Sequence, residues 1–318
     1  MHIARSLALV IVMMAACGGG MTTPVDGAPI DTTRGTDAAP TFDPLVGIGD
    51  VELVQGGFMF TEGPQWREAE ADLVFTDIPA STIYRYTPGG AAPTSLRSPS
   101  GNANGLAIDG AGALIAAQHG TRSVTRNGTA IVSTFEAKKL NSPNDVIVAD
   151  DGTIYFTDPP YGIPQGQTSE LGFMGVFRIA PGGTLTAEHR GPTSARPNGI
   201  GLSPDGATLY VADTADGKLY RFPVQAGGAL GTREVHATTA GSPDGLAIDI
   251  AGNIFVTTSG GIEVFAPTGT RHGNIPLPGG AQAPANCAFG DADHRTLYIT
   301  ARTQLLRVRL ANPGLPRR

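Results

Sequence analysis

Cysteine is nearly absent: the 318 residues hold two, Cys17 and Cys287. Two cysteines cannot build the disulfide framework of a small secreted domain, and a chain of this length can bury enough core to do without one. Basic residues are also few. Lys and Arg total 22 against 28 Asp and Glu, giving a formal net charge of −6, and they form no run or patch. Nucleic acid is therefore not an expected partner. Long runs of good helix formers are missing, whereas glycine (44) and proline (25) abound. That balance excludes a helical bundle and suits many short strands and turns. Clustered His and Cys ligands are missing too, so a tetrahedral structural zinc site is not expected.

The apolar run near the N-terminus, Leu7 to Met14, is too short to span a bilayer. With Arg5 before it and Ala15-Ala16-Cys17 after it, it reads as a secretory signal ending in a lipobox-like site, with Met14 where Leu is usual. Cleavage before Cys17 and lipidation of its thiol are expected, which leaves Cys287 single. The product would be exported and lipid-anchored to the cell envelope, in the outer membrane or facing the periplasm. Residues 18–44 are Gly, Thr, Pro, Asp and Ala with almost nothing to bury. They read as a flexible tether reaching on the order of 30 Å. Residues 45–318 are then the folded domain.

That domain repeats. "TEGPQWREAEADLVFTD", "ANGLAIDGAGALIAAQHG", "PNDVIVADDGTIYFTDPPYG", "PNGIGLSPDGATLYVADT", "PDGLAIDIAGNIFVTTSGG" and "ANCAFGDADHRTLYITA" share one pattern. An acidic or amide residue opens each unit, a short apolar run follows, then a polar turn, then a run rich in Val, Ile, Tyr, Phe and Thr. The opening residues are Glu62, Asn104, Asn144, Asn198, Asp244 and Asn286, separated by 42, 40, 54, 46 and 42 residues. That period, with three or four short strands per unit, predicts an all-β, six-bladed β-propeller. "VELVQGGFMF" (51–60) is the expected closing strand against the last blade.

In a propeller the first strand of each blade lines the central channel. The six opening residues should therefore meet at one mouth. Two carboxylates and four amides offer oxygens with limited negative charge, the environment that hard cations such as Ca²⁺ favour.

The motifs "EGPQW", "LNSPNDVIVADDGTIYFTDPPYG", "RPNGIGLSPDGATLYVADT", "SPDGLAIDIAGNIFVT" and "NCAFG" resemble the SMP-30/gluconolactonase/luciferin-regenerating-enzyme-like family, especially its bacterial gluconolactonase branch. The resemblance covers about residues 50–310. It implies one divalent metal held by Glu62, Asn144, Asn198 and Asp244, Ca²⁺ before Zn²⁺, Mg²⁺ or Mn²⁺. It implies hydrolysis of a sugar lactone, with Asp244 as general base or nucleophile and with Asn104, His119 and Asn286 lining the substrate pocket. His119, in "AAQHG", is typical of that branch and is a further catalytic candidate. An esterase or organophosphate hydrolase on the same site, or a metal-stabilised binding module without activity, are the alternatives.

Other residues read as structural. Asp145 should point away from Asn144, Trp66 should pack in a blade, and Cys287 should be a small buried apolar residue. Asp158 could orient a ligand or start a turn. The loops 163–173 and 215–240 are expected over the mouth. A closed ring with no amphipathic helix is expected to be a monomer.

Overall fold

Runs such as Leu73–Phe75 and Ile154–Phe156 are apolar at every position, so they suit strands buried on both faces. The structure, a computed structural model, describes residues 43–315. The leader 1–17 and residues 18–42 of the tether lie outside these. The tether's last two residues lie inside, and Pro44 is buried. Among the described residues every regular element is a strand, except one 3-10 turn at Ala226–Gly228.

All strand pairs are antiparallel. Four sheets of four strands form from consecutive segments, beginning at Ala103–Ile108, Val146–Val148, Pro197–Leu202 and Pro243–Ile248. A six-stranded sheet joins the two ends of the described chain, in the order Asn286–Gly290, Thr296–Arg309, Glu52–Arg67, Asp72–Asp77, Thr82–Tyr86, Thr94–Arg97. Within it, Glu52–Gly56 pairs with Gln304–Arg307, and Thr61–Arg67 pairs with Asp72–Asp77. The expected closing strand thus does close the ring. The strands Glu52–Arg67, Ala103–Ile108, Val146–Val148, Pro197–Leu202, Pro243–Ile248 and Asn286–Gly290 touch one another in that cyclic order. This is a β-propeller.

The core lies in the seams between sheets rather than at one centre. Val146 and Phe156, paired in register, face Ala107, Ile115 and Val124 of the preceding sheet. Ile147 and Tyr155, the next pair, face Ile200, Leu209 and Tyr220 of the following one. Strand alternation serves two seams, which is why both positions are apolar. Cys287 is fully buried in the seam with Phe255 and Phe289. Trp66 stacks on Tyr298, ring centroids 6.3 Å apart. Both meet expectation.

Candidate functional site

Five of the six opening residues sit where the inner strands depart from regular pairing; Asn286 lies in regular register opposite Thr300. Between Glu62 and Gln65, Ala103 and Leu106, Pro197 and Ile200, and Pro243 and Leu246, the inner strand carries one residue more than its partner. Asn144 and Asp145 likewise both bond Thr157: Asn144 N–H donates to its carbonyl at 2.8 Å, and Thr157 N–H donates to the Asp145 carbonyl at 3.0 Å. These are β-bulges, which bend a strand and re-aim a side chain. Glu62, Asn104, Asn144, Asn198 and Asn286 are all at most 5% exposed, and Asp244 is partly exposed.

The six positions are tied together blade by blade. Thr76 Oγ1 donates to the Asn104 carbonyl (3.0 Å), and Gly105 N–H donates to the Asn144 carbonyl (2.7 Å). Thr157 Oγ1 donates to the Asn198 carbonyl (2.7 Å), and Thr214 Oγ1 to that of Pro243 (2.7 Å). Gly245 N–H donates to the Ala285 carbonyl (2.7 Å), and the Asn286 side chain hydrogen-bonds the Glu62 carboxylate. These bonds join each inner strand to the next, mostly through backbone carbonyls at the opening residues or directly before them.

Negative charge is crowded here. Burial, then Asp244 and Asp145, push the Glu62 carboxyl well above its ordinary range. Burial and Asp145 push Asp244 up to about 7, against hydrogen bonding from Asn198 and the nearby Arg302. Asp145 adds charge without facing the mouth. Its Oδ1 accepts from Val146 N–H (3.0 Å) and its Oδ2 from Ile200 N–H (3.2 Å), across the seam.

His119 lies behind Asn104, with Nε2 3.2 Å from Asn104 Nδ2. Burial lowers its pKa to about 4, so the ring is neutral at neutral pH and accepts from the amide. That fixes Asn104, whose Oδ1 is buried and has no hydrogen-bond partner. Asp158 belongs to the turn. Its two oxygens accept from the N–H groups of Ser142 (2.7 Å) and Asn141 (2.8 Å), anchoring the segment that leads to Asn144. Burial nevertheless raises its pKa to about 7.

Residues 60–303 match the description "SMP-30/Gluconolactonase/LRE-like region". The gluconolactonase of Zymomonas mobilis subsp. mobilis is 33% identical over 313 residues, covering 88% of this chain and 86% of that one. A solved gluconolactonase structure from Xanthomonas campestris aligns at TM-score 0.75 and 33% identity, covering 82% of this chain and 89% of that one. The calcium-binding protein regucalcin of Agrobacterium tumefaciens shares the fold, at TM-score 0.70 and 19% identity over 85% of this chain and 96% of that one. The chain belongs to the SMP-30/gluconolactonase/LRE-like family.

On this SMP-30-like propeller the loops depart from expectation in one respect. Residues 159–173 follow the strand Ile154–Asp158 at the polar mouth, as expected for 163–173. Of 215–240, only the ends lie there. Val224, Gln225, Gly227 and Gly228 instead line a cavity of about 380 Å³ at the opposite mouth. The reason is strand direction: Lys218–Pro223 is antiparallel to Thr208–Asp213 and runs away from Asn198. Tyr161 was not singled out from sequence. It hydrogen-bonds Thr214 and Asn198 and lies near Asp244, and it is 46% exposed. The only local signal is an aromatic residue in "FTDPPYG", ahead of Gly162, whose N–H donates to Ser142 Oγ at 2.8 Å.

Proposed function

We propose that this protein hydrolyses a sugar lactone at a divalent metal ion held by Glu62, Asn144, Asn198 and Asp244, with Ca²⁺ as the preferred ion. The carrying observation is the donor set: two carboxylates held up by burial and by neighbouring carboxylate charge, beside amide side chains on neighbouring strands. A hard cation relieves that repulsion and accepts such oxygens. Among the described residues no group of three or more His, Cys, Asp and Glu could hold a metal by itself, so amide oxygens must complete the set. Asn104 Oδ1, buried without a partner, fits a site that holds a further group.

When bound, the metal would polarise the lactone carbonyl and lower the pKa of a water. Asp244, the partly exposed acid, takes the proton of the attacking water or attacks the carbonyl itself. Its raised pKa belongs to the ring without a cation, and a bound cation lowers it. His119 acts by positioning: it fixes the Asn104 amide so that Oδ1 faces the substrate. Asn286 holds the Glu62 carboxylate, and Tyr161 covers the Asn198 side of the mouth.

The six-blade count is part of this reading. It is supported by the closed cycle of six inner strands and takes the six-stranded sheet as two blades. So is lipidation at Cys17, which Cys17→Ser should abolish in a fatty-acid labelling experiment.

The test of the reaction is hydrolysis of glucono-1,5-lactone by the full chain, before and after chelation and after return of Ca²⁺. Loss and recovery of activity are expected. Full activity after complete metal removal would sink the metal assignment. No lactone hydrolysis with metal bound would leave a binding module.

A further inference from the structure

Each repeat unit has a corresponding position directly after its second β-rich run; in the last unit the strand Thr296–Arg309 continues through it. This position is occupied by Ile78, His119, Pro159, Thr214, Ser259 and Arg302. Two of these are seen to address the inner strand of their own blade. His119 meets Asn104, and Thr214 Oγ1 accepts from Asn198 Nδ2 at 3.0 Å. Arg302 is the one cation in the series. Its Cα is paired in register with Thr61, the residue before Glu62.

Three observations set Arg302 apart. Its guanidinium carbon lies 5.2 Å from the centroid of the Phe60 ring, a cation–π seat. It is exposed, and among the described residues it forms no ion pair, whereas Arg307 and Arg309 of the same strand pair with Glu52 and Asp293. Its backbone has φ +53°, uncommon for a residue with a long side chain. A guanidinium needed only to offset Asp244 would sit in contact with it. This one is near enough to lower the Asp244 pKa, yet remains without a carboxylate at ion-pair distance.

We infer that Arg302, seated on Phe60, reads the end of the substrate remote from the ester, and that this end carries an anion such as a phosphate, carboxylate or sulfonate. The inference rests on the lactone reading above and narrows it to a substrate class. A mouth holding Glu62 and Asp244, with the charge of Asp145 behind them, repels an anion. An unpaired guanidinium at its rim supplies the paired N–H donors that such a group needs.

The experiment compares glucono-1,5-lactone with its 6-phosphate on the full-length protein. Wild type should prefer the phosphorylated lactone in kcat/KM, and raising the salt concentration should shrink that preference. Arg302→Gln should cut the ratio of the two kcat/KM values about 10- to 100-fold, through KM for the phosphorylated lactone. Arg302→Lys should keep part of the ratio, because it keeps the charge but not the fork. A ratio unchanged by Arg302→Gln, with both substrates slowed alike, would overturn the inference and leave Arg302 as a counter-charge for Asp244. A salt-independent ratio in wild type would overturn it even if the variants failed to fold. Hydrolysis of neither lactone by wild type would sink the lactone reading first.

Discussion

The tetrapeptide Ser-Pro-Asp-Gly occurs twice, at 203–206 and at 242–245, at opposite ends of the channel. At the first, Gly206 N–H donates to the Ser203 carbonyl at 2.8 Å, and Gly206 has φ +68°. Asp205 is exposed, and its Oδ1 accepts from Ser203 Oγ (2.6 Å) and Ala207 N–H (3.0 Å). Those bonds hold its pKa below the ordinary value. At the second, the same residues open an inner strand. Gly245 N–H bonds the next blade, and a Cβ on Gly245 would lie 2.1 Å from Asn286 Cγ. There Asp244 is pushed up to about 7. An aspartate is a turn former with a lowered pKa or an acid with a raised one according to which end of a strand it occupies. Local chemistry is identical; neighbours and burial differ.

The sharpest way to break this comparison is to neutralise both acids. Asp244→Asn should cost about 10²- to 10⁴-fold in kcat, as for loss of a general base or a nucleophile. Asp205→Asn should leave kcat/KM within about twofold. Equal effects in a steady-state assay would erase the distinction.

The glycines give the next largest contrast. Gly245→Ala puts a methyl group into a neighbouring side chain held between two strands, and it should destabilise by about 1–3 kcal/mol or more. Gly206→Ala meets open space and suffers only its positive φ, at about 1 kcal/mol. Thermal or denaturant unfolding of the two variants checks the order.

The acids should also differ in how they couple stability to pH. Asp244 has a folded pKa of about 7, above its ordinary value of 3.8. For the metal-free protein its contribution is therefore complete below about pH 4 and is lost as pH rises through about 7. Asp205, with a lowered pKa, does the reverse: its contribution is present above its ordinary value of 3.8 and is lost as pH falls below it. Added Ca²⁺ should therefore raise Tm more at pH 7.5 than at pH 5. Asp158 is also raised to about 7 and shares the sign, so the Asp244→Asn variant isolates the Asp244 part. A calcium shift in Tm independent of pH in wild type would contradict the crowded-charge picture.

A smaller effect is expected behind the ring. His119→Ala frees the Asn104 amide without removing a group at the mouth, and should lower kcat/KM by about tenfold or less. The pH profile should stay unchanged between pH 5 and 8, since the ring is neutral throughout. A titration in that range that is present in wild type and lost on mutation would make His119 a proton carrier instead.

Much of this was legible because the chain repeats itself. Glu62, Asn104, Asn144, Asn198, Asp244 and Asn286 stood out by recurrence, and recurrence survives folding when every unit makes the same strand. Trp66 and Cys287 were legible as core from residue type alone. The destinations of 215–240 and the place of Asp158 were not, since both depend on which way a strand runs and what lies beside it. Tyr161, in a loop, and Arg302, in the strand Thr296–Arg309, occur once each at their positions, so no pattern marks them. Only the packing of Gly162 near His119 and Ser142 and the pairing of Arg302 with Thr61 bring them to the mouth.

Strand propensity, period and the polar residue that opens each unit are properties of short segments, and these sequence features determined the propeller and its polar ring. The tertiary structure alone decided which carboxylates are crowded together, which of them burial pushes up, and where the unpaired guanidinium stands. Those are sums over neighbours from different blades, and Coulomb and desolvation energies follow distance in space rather than separation along the chain.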